Sequence, residues 1–328
     1  MIAGADFIAA RNSRNIRVLA RMLSLAENDP ASAYGILREV SVATKDPGET
    51  ADTSGVIGLT GPPGVGKSTL VSALVAEFRS LDLSVGVLAL DPSSPFRGGA
   101  LLGDRIRMNE HADDAGVFIR SMATRGLLGG LSRAAWLAVR ILDFWGFDRI
   151  VVETTGVGQN EIDIVSLADT TVLVLSPAAG DEVQVMKAGI MEAADLFVIN
   201  KSDLPGANTL RSALLSILPD SPAIVETVAN VRSPENGVST LAAAITSNLD
   251  REHRSEPHLR RDARLREEVR RSIHDLLSKE IELQLDRVMS DRAHDKFEDP
   301  AAIARDILEE LGIHRAVGTG EEHDGEQD

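Results

Sequence analysis

Gly61-Pro62-Pro63-Gly64-Val65-Gly66-Lys67-Ser68-Thr69 constrains this chain more than any other stretch. It follows the apolar run Val56-Ile57-Gly58-Leu59 and leads into Leu70, Val71, Leu74 and Val75, so it reads as strand, glycine-rich turn, helix. The pattern G-x-x-x-x-G-K-[ST] in that setting is a cradle for nucleotide phosphates. Its glycines let successive backbone N–H groups converge on an anion, and the helix that follows adds its positive end. Gly61 to Thr69 are therefore the expected phosphate-binding residues. Lys67 is expected to reach the β- and γ-phosphates, and the Ser68 hydroxyl to ligate Mg²⁺.

The rest of the chain is consistent with that core. From residue 55 to about residue 250, strand-like runs alternate with helix-length segments. The runs are Val56–Leu59, Val85–Leu90, Val117–Ile119, Ile150–Val152, Thr171–Leu175, Leu196–Ile199 and Ala223–Val228. This alternation predicts an α/β fold, a P-loop nucleoside triphosphatase with a mainly parallel, doubly wound sheet. Ligands of such sheets sit at the carboxyl ends of the strands. Asp91, Glu153 and Asn200-Lys201-Ser202-Asp203 all fall there.

Four segments are expected. Residues 1–54 form a helical extension and linker: an amphipathic helix over 5–27, a second helix capped by Asp29-Pro30 that buries Ile36, Leu37 and Val40, and a polar linker from Lys45. Residues 55–250 form the nucleotide domain. Residues 251–315 form a helical arm, with Leu265, Val269, Ile273, Leu276, Leu277, Ile281, Leu285 and Val288 at helical spacing, and a last helix from Asp299-Pro300 to Gly312. Its stripe fits either packing on its own domain or a dimer interface. The arginines between Arg260 and Arg271 are interspersed with acids and read as a solvated helix face. Residues 316–328 form an acidic tail, expected to be disordered.

Composition closes off other classes. The formal net charge is −16 and only 3% of the residues are aromatic, which argues against nonspecific nucleic-acid binding. There is no cysteine, so disulfides, zinc–cysteine sites and thiol catalysis are excluded. With no membrane-length apolar run and no secretory signal pattern at Met1–Asp6, the expectation is a cytoplasmic protein without a membrane partner.

Asn200-Lys201-Ser202-Asp203 fixes the nucleotide. A carboxylate at Asp203 accepts from guanine N1–H and the exocyclic amine, a donor pair that adenine lacks. The Asn200 amide suits the acceptor side of the base, and the Lys201 stem can lie over the ring. The pair of motifs indicates a GTPase with GTP and GDP as ligands. Glu153-Thr154-Thr155-Gly156 places an acid where Mg²⁺ is held, with Gly156 N–H available to the γ-phosphate. Catalysis is assigned to Lys67, Asp91 and Glu153. Val157 after Gly156 cannot orient water, so slow turnover that a partner stimulates is expected, with Gln159 and Asp91 as candidates to orient the water. Asp91 and Asp104 flank a loop that can order around Mg²⁺, and Arg97, Arg105 and Arg107 in it are individually ordinary surface residues.

These residues resemble the methylmalonyl-CoA mutase-associated GTPases of the MeaB and ArgK type. The resemblance is carried by Gly61–Thr69, Val87–Pro95, Glu153–Gln159, Gly180–Asp195 and Asn200–Asp203. It implies a homodimeric GTPase chaperone for an adenosylcobalamin-dependent acyl-CoA mutase, in the first instance methylmalonyl-CoA mutase, with a cobalamin adenosyltransferase as a further partner. Such proteins gate cofactor loading, protect the mutase and support its reactivation. The resemblance also implies a Mg²⁺ environment of Ser68, Asp91, Asp104 and Glu153, two switches at Asp91–Met108 and Glu153–Gly156, a third that couples to the mutase through Asp181, Glu182, Gln184 and Lys187, and dimerisation by the arm. The chain departs from the family after the last strand, where Glu226-Thr227-Val228-Ala229-Asn230 replaces the usual Ser-Ala support for the base. Two other readings stand beside this one. One is a nickel-delivery GTPase of related architecture, which the lack of cysteine disfavours. The other is a small-molecule kinase, which Asn200–Asp203 disfavours.

Overall fold

A computed structural model describes residues 2–43, 54–91, 111, 113–123, 133–154, 160–177, 190–218, 223–231, 233, 235–255, 259–291 and 300–312. They fall into two compact units, 1–268 and 269–328.

Each predicted strand run is a strand: β1 (Gly55–Thr60), β2 (Val85–Asp91), β3 (Val117–Ala123), β4 (Arg149–Thr154), β5 (Thr170–Leu175), β6 (Leu196–Asn200) and β7 (Ile224–Thr227). They form one seven-stranded sheet in the order β3-β2-β4-β1-β5-β6-β7, and every adjacent pair is parallel. The chain moves outward from β1 to β3, returns to β4 beside β1, and continues to the other side through β5. Strand order therefore reverses at β1, and a ligand crevice opens at such a point.

Alternate residues of each strand feed opposite faces. Ile57 and Leu59 of β1, Val87 of β2 and Val151 of β4 pack under α4 (Lys67–Ser80) and Val238–Ser255, the helix that follows β7. Val56, Leu88, Ile150 and Val152 face a second core that contains the amino-terminal helices α1 (Gly4–Asn12), α2 (Ile16–Asn28) and α3 (Pro30–Ala43), together with α5 (Arg133–Trp145) and α6 (Asn160–Leu167). Phe7 stacks on Phe144 and meets Trp145, so the extension is built into the core. A third cluster joins Leu173, Leu175, Phe197 and Ile199 to α7 (Ile190–Ala193) and α8 (Ala207–Ile217). The helix Val238–Ser255 is α9.

The amphipathic segment 5–27 is two helices rather than one. Arg14 takes φ 51°, the Ser13 hydroxyl bonds back to the Ala9 carbonyl, and Asn15 stands just before α2. A left-handed residue ends a helix whatever the hydrophobic period on either side. Asp29 caps α3 as expected, its carboxylate accepting from the backbone N–H and hydroxyl of Ser32.

Carboxylates lace the amino edge of the sheet. Asp169 accepts from Val56 N–H (2.9 Å), Asp195 from Thr171 N–H (2.8 Å), and Asp148 from both the N–H and the hydroxyl of Ser84 (2.7 Å each). Each acid sits just before its own strand and satisfies a donor on the neighbouring strand or just before it.

In the first unit the helix α10 (Leu259–Asp291) carries Glu268, a buried carboxylate that accepts from Arg140 Nε (2.9 Å) and the Tyr34 hydroxyl. In the second unit Val269, Ile273, Leu276, Leu277 and Leu283 are exposed. α11 (Pro300–Glu310) follows, and Gly312 at φ 67° lies just past its end. Among the described residues no helix is long and apolar enough to cross a membrane.

Candidate nucleotide site

The glycine-rich stretch is the turn between β1 and α4. Gly61, Gly64 and Gly66 have φ of 140°, 81° and 96°, in the region that disfavours a side chain. A Cβ at Gly61 would collide with the Val174 carbonyl of β5. Gly66 is the left-handed residue from which α4 starts, and its carbonyl accepts the first helical bond from Leu70 N–H (2.9 Å). Lys67 is therefore the first residue of the helix. Its side chain is buried and its Nζ donates to the carbonyls of Gly61 (2.6 Å) and Pro62 (2.9 Å). The ammonium thus lies inside the curl of the turn, where a phosphate oxygen would meet both it and the amino end of α4.

Ser68, the next residue on α4, donates through Oγ to Glu153 Oε1 at 2.7 Å. Glu153 is buried near the carboxyl end of β4, in register with Leu59 of β1. Thr154 and Thr60, also buried, are joined hydroxyl to hydroxyl at 3.2 Å, which ties the ends of the two strands together. A hydroxyl and a carboxylate meeting this way are hard oxygen donors and fit Mg²⁺, which is commonly held by one or two protein oxygens plus phosphates and water. Among the described residues no three His, Cys, Asp or Glu side chains form a metal-sized group.

The loop after β6, which carries Asn200–Asp203, lies beside the cradle and is bonded to it. Asn200, buried at the end of β6, donates from Nδ2 to the Val65 carbonyl at 2.9 Å. Lys201 takes φ 57° and its Nζ donates to the Gly64 carbonyl at 2.7 Å. Asp203 is exposed at the loop tip. The Asn200 amide is thus engaged by the protein at both of its ends. Its Oδ1 accepts from Thr227 Oγ1 (3.0 Å) and Ala229 N–H (3.3 Å) of the loop after β7.

The structure therefore brings together the cradle, Ser68, Glu153, Asn200 and Lys201. Asp91 is the last residue of β2, and only its backbone is described. Gly156, Asp104, Asp181, Glu182, Gln184 and Lys187 lie outside the described residues, as do Val157 and Gln159. Sequence reasoning missed Thr60, Thr154 and Thr227. Each is an ordinary threonine at a strand end, and only the register reveals what it touches.

Comparison with known proteins agrees with this geometry. The family model for the methylmalonyl-CoA mutase-associated GTPase MeaB matches residues 19–286. A Pyrococcus abyssi protein named as a GTPase is 44% identical over 312 residues, covering 90% of this chain and 93% of that protein. The mouse methylmalonic aciduria type A homolog, mitochondrial, is 46% identical over 147 residues, 45% of this chain and 35% of that one. The crystal structure of a LAO/AO transport system kinase superposes with a TM-score of 0.65 at 21% identity, over 94% of this chain and 97% of its own, which supports the fold. The chain belongs to the methylmalonyl-CoA mutase-associated GTPase MeaB family and is a GTPase that binds GTP and GDP.

Proposed function

We propose that this GTPase is a chaperone for an adenosylcobalamin-dependent acyl-CoA mutase, methylmalonyl-CoA mutase in the first instance. It would gate cofactor loading, protect the mutase and support its reactivation, acting in the cytoplasm. The observation that carries this reading is the family match across residues 19–286, which takes in the whole nucleotide domain (55–250) and the first part of the arm (251–315). A cobalamin adenosyltransferase is the further candidate partner.

In this reading the cradle N–H groups and Lys67 hold the phosphates. Ser68 and Glu153 hold Mg²⁺, with Asp91 and Asp104 completing its surroundings. Bound Mg²⁺ neutralises charge on the phosphate oxygens. Asn200, Lys201 and Asp203 select guanine, and Gly156 senses the γ-phosphate. Asp181, Glu182, Gln184 and Lys187 carry the signal to the mutase. Val157 makes intrinsic turnover slow and partner-stimulated. The exposed Val269, Ile273, Leu276 and Leu283 support a homodimer, because an apolar helix stripe of this length needs a partner surface.

The test is affinity purification of the full-length protein from its own cells, with GDP or with a non-hydrolysable GTP analogue. A cobalamin-dependent mutase should be recovered in a nucleotide-dependent amount, and adding it should raise GTP turnover. Recovery of no cobalamin enzyme in either state would refute the assignment.

A further inference from the structure

Leu59 and Glu153 are the last pair in the β1–β4 register. One residue further on, β1 turns into the cradle and β4 ends, and there the pairing passes to side chains. Thr154 Oγ1 donates to Thr60 Oγ1 at 3.2 Å and lies 3.5 Å from the Leu59 carbonyl. Both threonines are buried, Thr60 completely. The other buried side chains along these strands are apolar: Val56, Ile57 and Leu59 on β1, Ile150, Val151 and Val152 on β4. Packing alone would be served by two valines, which have the shape of threonine without its hydroxyl. What valines lack is direction. A hydroxyl pair fixes the rotamers of both residues and the spacing of the two strand ends, and a buried polar pair specifies one arrangement where apolar neighbours can slide.

Each threonine adjoins a group of the site. Thr60 precedes Gly61, whose backbone lies against the Val174 carbonyl and whose own carbonyl accepts from Lys67. Thr154 follows Glu153, whose Oε1 accepts from the Ser68 hydroxyl. That carboxylate and that hydroxyl stand on different elements, β4 and α4, and α4 is continuous with β1 through the cradle. The threonine pair completes a ring that runs from β1 through the cradle to Ser68, across to Glu153 on β4, and back to β1.

We propose that Thr60 and Thr154 are positioning residues for the Mg²⁺ site. Their hydroxyl pair sets the end of β4 against the end of β1 and so keeps Glu153 at Ser68. The proposal rests on the reading of Ser68 and Glu153 as the groups that hold Mg²⁺, and adds the pair that fixes their spacing. Neither threonine is assigned a contact with metal or nucleotide.

The readout is how much Mg²⁺ strengthens binding of a non-hydrolysable GTP analogue, taken as the ratio of its dissociation constants in EDTA and in Mg²⁺. Thr154→Val keeps the shape and removes one hydroxyl. The ratio should fall by about fivefold to tenfold, the worth of one net hydrogen bond, with affinity in EDTA unchanged. General loosening of the cradle would instead weaken binding in EDTA and leave the ratio alone. Thr60→Val should act in the same way, and the double valine variant should lose no more than either single one, because all three remove the same bond.

The experiment uses the full-length protein as wild type, Thr60→Val, Thr154→Val, Thr154→Ser, the double valine variant and Ser68→Ala, with melting curves to confirm folding. A lowered ratio in the valine variants that returns in Thr154→Ser supports the proposal. Should a single variant not fold, the double variant, which leaves no unpaired buried hydroxyl, takes its place with the same readout. A ratio that stays at the wild-type value, or a loss confined to EDTA, overturns the role of the threonines while Ser68→Ala still tests the metal site itself. If Mg²⁺ does not strengthen binding to wild type, or Ser68→Ala keeps the full ratio, the reading of Ser68 and Glu153 falls and the proposal falls with it.

Discussion

Two glycines of the cradle offer a controlled test of how tightly the base loop and the phosphate loop are joined. Gly64 and Gly66 both have positive φ, so alanine at either costs about 1–2 kcal/mol of backbone strain. Their surroundings differ. A Cβ at Gly64 meets no described heavy atom within 4 Å, whereas one at Gly66 falls 2.5 Å from Asn200 Nδ2. Asn200 is buried and held by three bonds, to Val65, Thr227 and Ala229, so it cannot swing aside without breaking them. Losing them adds about 3 kcal/mol at roughly 1 kcal/mol per net bond. Gly66→Ala should therefore cost about 4–5 kcal/mol, and Gly64→Ala about 1–2 kcal/mol. Against a typical total of about 5–15 kcal/mol, the Gly66 variant remains folded but weakened. Urea unfolding followed by tryptophan fluorescence suits the measurement, because Trp136 and Trp145 are both buried in the first unit. The Gly66 variant should also lose GTP affinity. Equal costs for the two substitutions would refute the claim that Asn200 fills the space beside Gly66.

Three further outcomes follow from the site and the sheet. Asp203→Asn should shift preference from GTP toward xanthosine triphosphate, since an amide donor then faces a C2 carbonyl; unchanged GTP affinity would show that Asp203 does not read the base. Ser68→Ala removes the hydroxyl that meets Glu153 and should lower Mg²⁺-dependent hydrolysis by about 10–100-fold, the usual effect of disturbing a metal's surroundings, while GTP binding in EDTA is kept; an unaltered Mg²⁺ requirement would remove Ser68 from the metal site. Burial pushes the Asp148 carboxyl up, but the bonds from Ser84 and the nearby Arg149 outweigh it and hold the group below the usual carboxylate range. Its stabilising contribution is then present above the unfolded value near ~4 and lost as pH falls through the lower folded value. The stability gap between wild type and Asp148→Asn should narrow between pH 7 and about pH 3, and a constant gap in urea unfolding would contradict this.

The strands were legible because a parallel sheet covered on both faces leaves continuous apolar runs, as Leu196-Phe197-Val198-Ile199 shows. Helix starts were legible where a local rule acts, as at Asp29-Pro30. What escaped were features set by contacts distant in sequence. The break at Arg14 falls in the polar run Arg11-Asn12-Ser13-Arg14-Asn15, and there the Arg14 guanidinium donates to the distant Trp145 carbonyl. Ser54 read as part of a polar linker, yet it is buried with its hydroxyl on Asp143. Lys67 and Asn200 were legible as ligand groups, but their bonds to Gly61, Pro62 and Val65 depend on how the turn folds back on itself. Thr227 is separated from Asn200 by α8 and β7, and the β6–β7 register brings them together.

These bonds also join the loop after β6 to the cradle. Asn200 and Lys201 attach the base loop to consecutive carbonyls of the cradle, Val65 and Gly64. The cradle is fixed on its other side by the close approach of Gly61 to β5 and by Lys67 within the turn. The opposite edge of the sheet is laced by Asp148, Asp169 and Asp195, whose carboxylates tie neighbouring strands together. The cradle and the loop after β6 are therefore one body whose parts cannot shift separately without breaking several bonds, some of them buried. Glu153 joins this body to the carboxyl end of β4. It sits near the end of β4, shares a hydrogen bond with Ser68 at the start of α4, and immediately precedes Thr154, whose hydroxyl links β4 to β1.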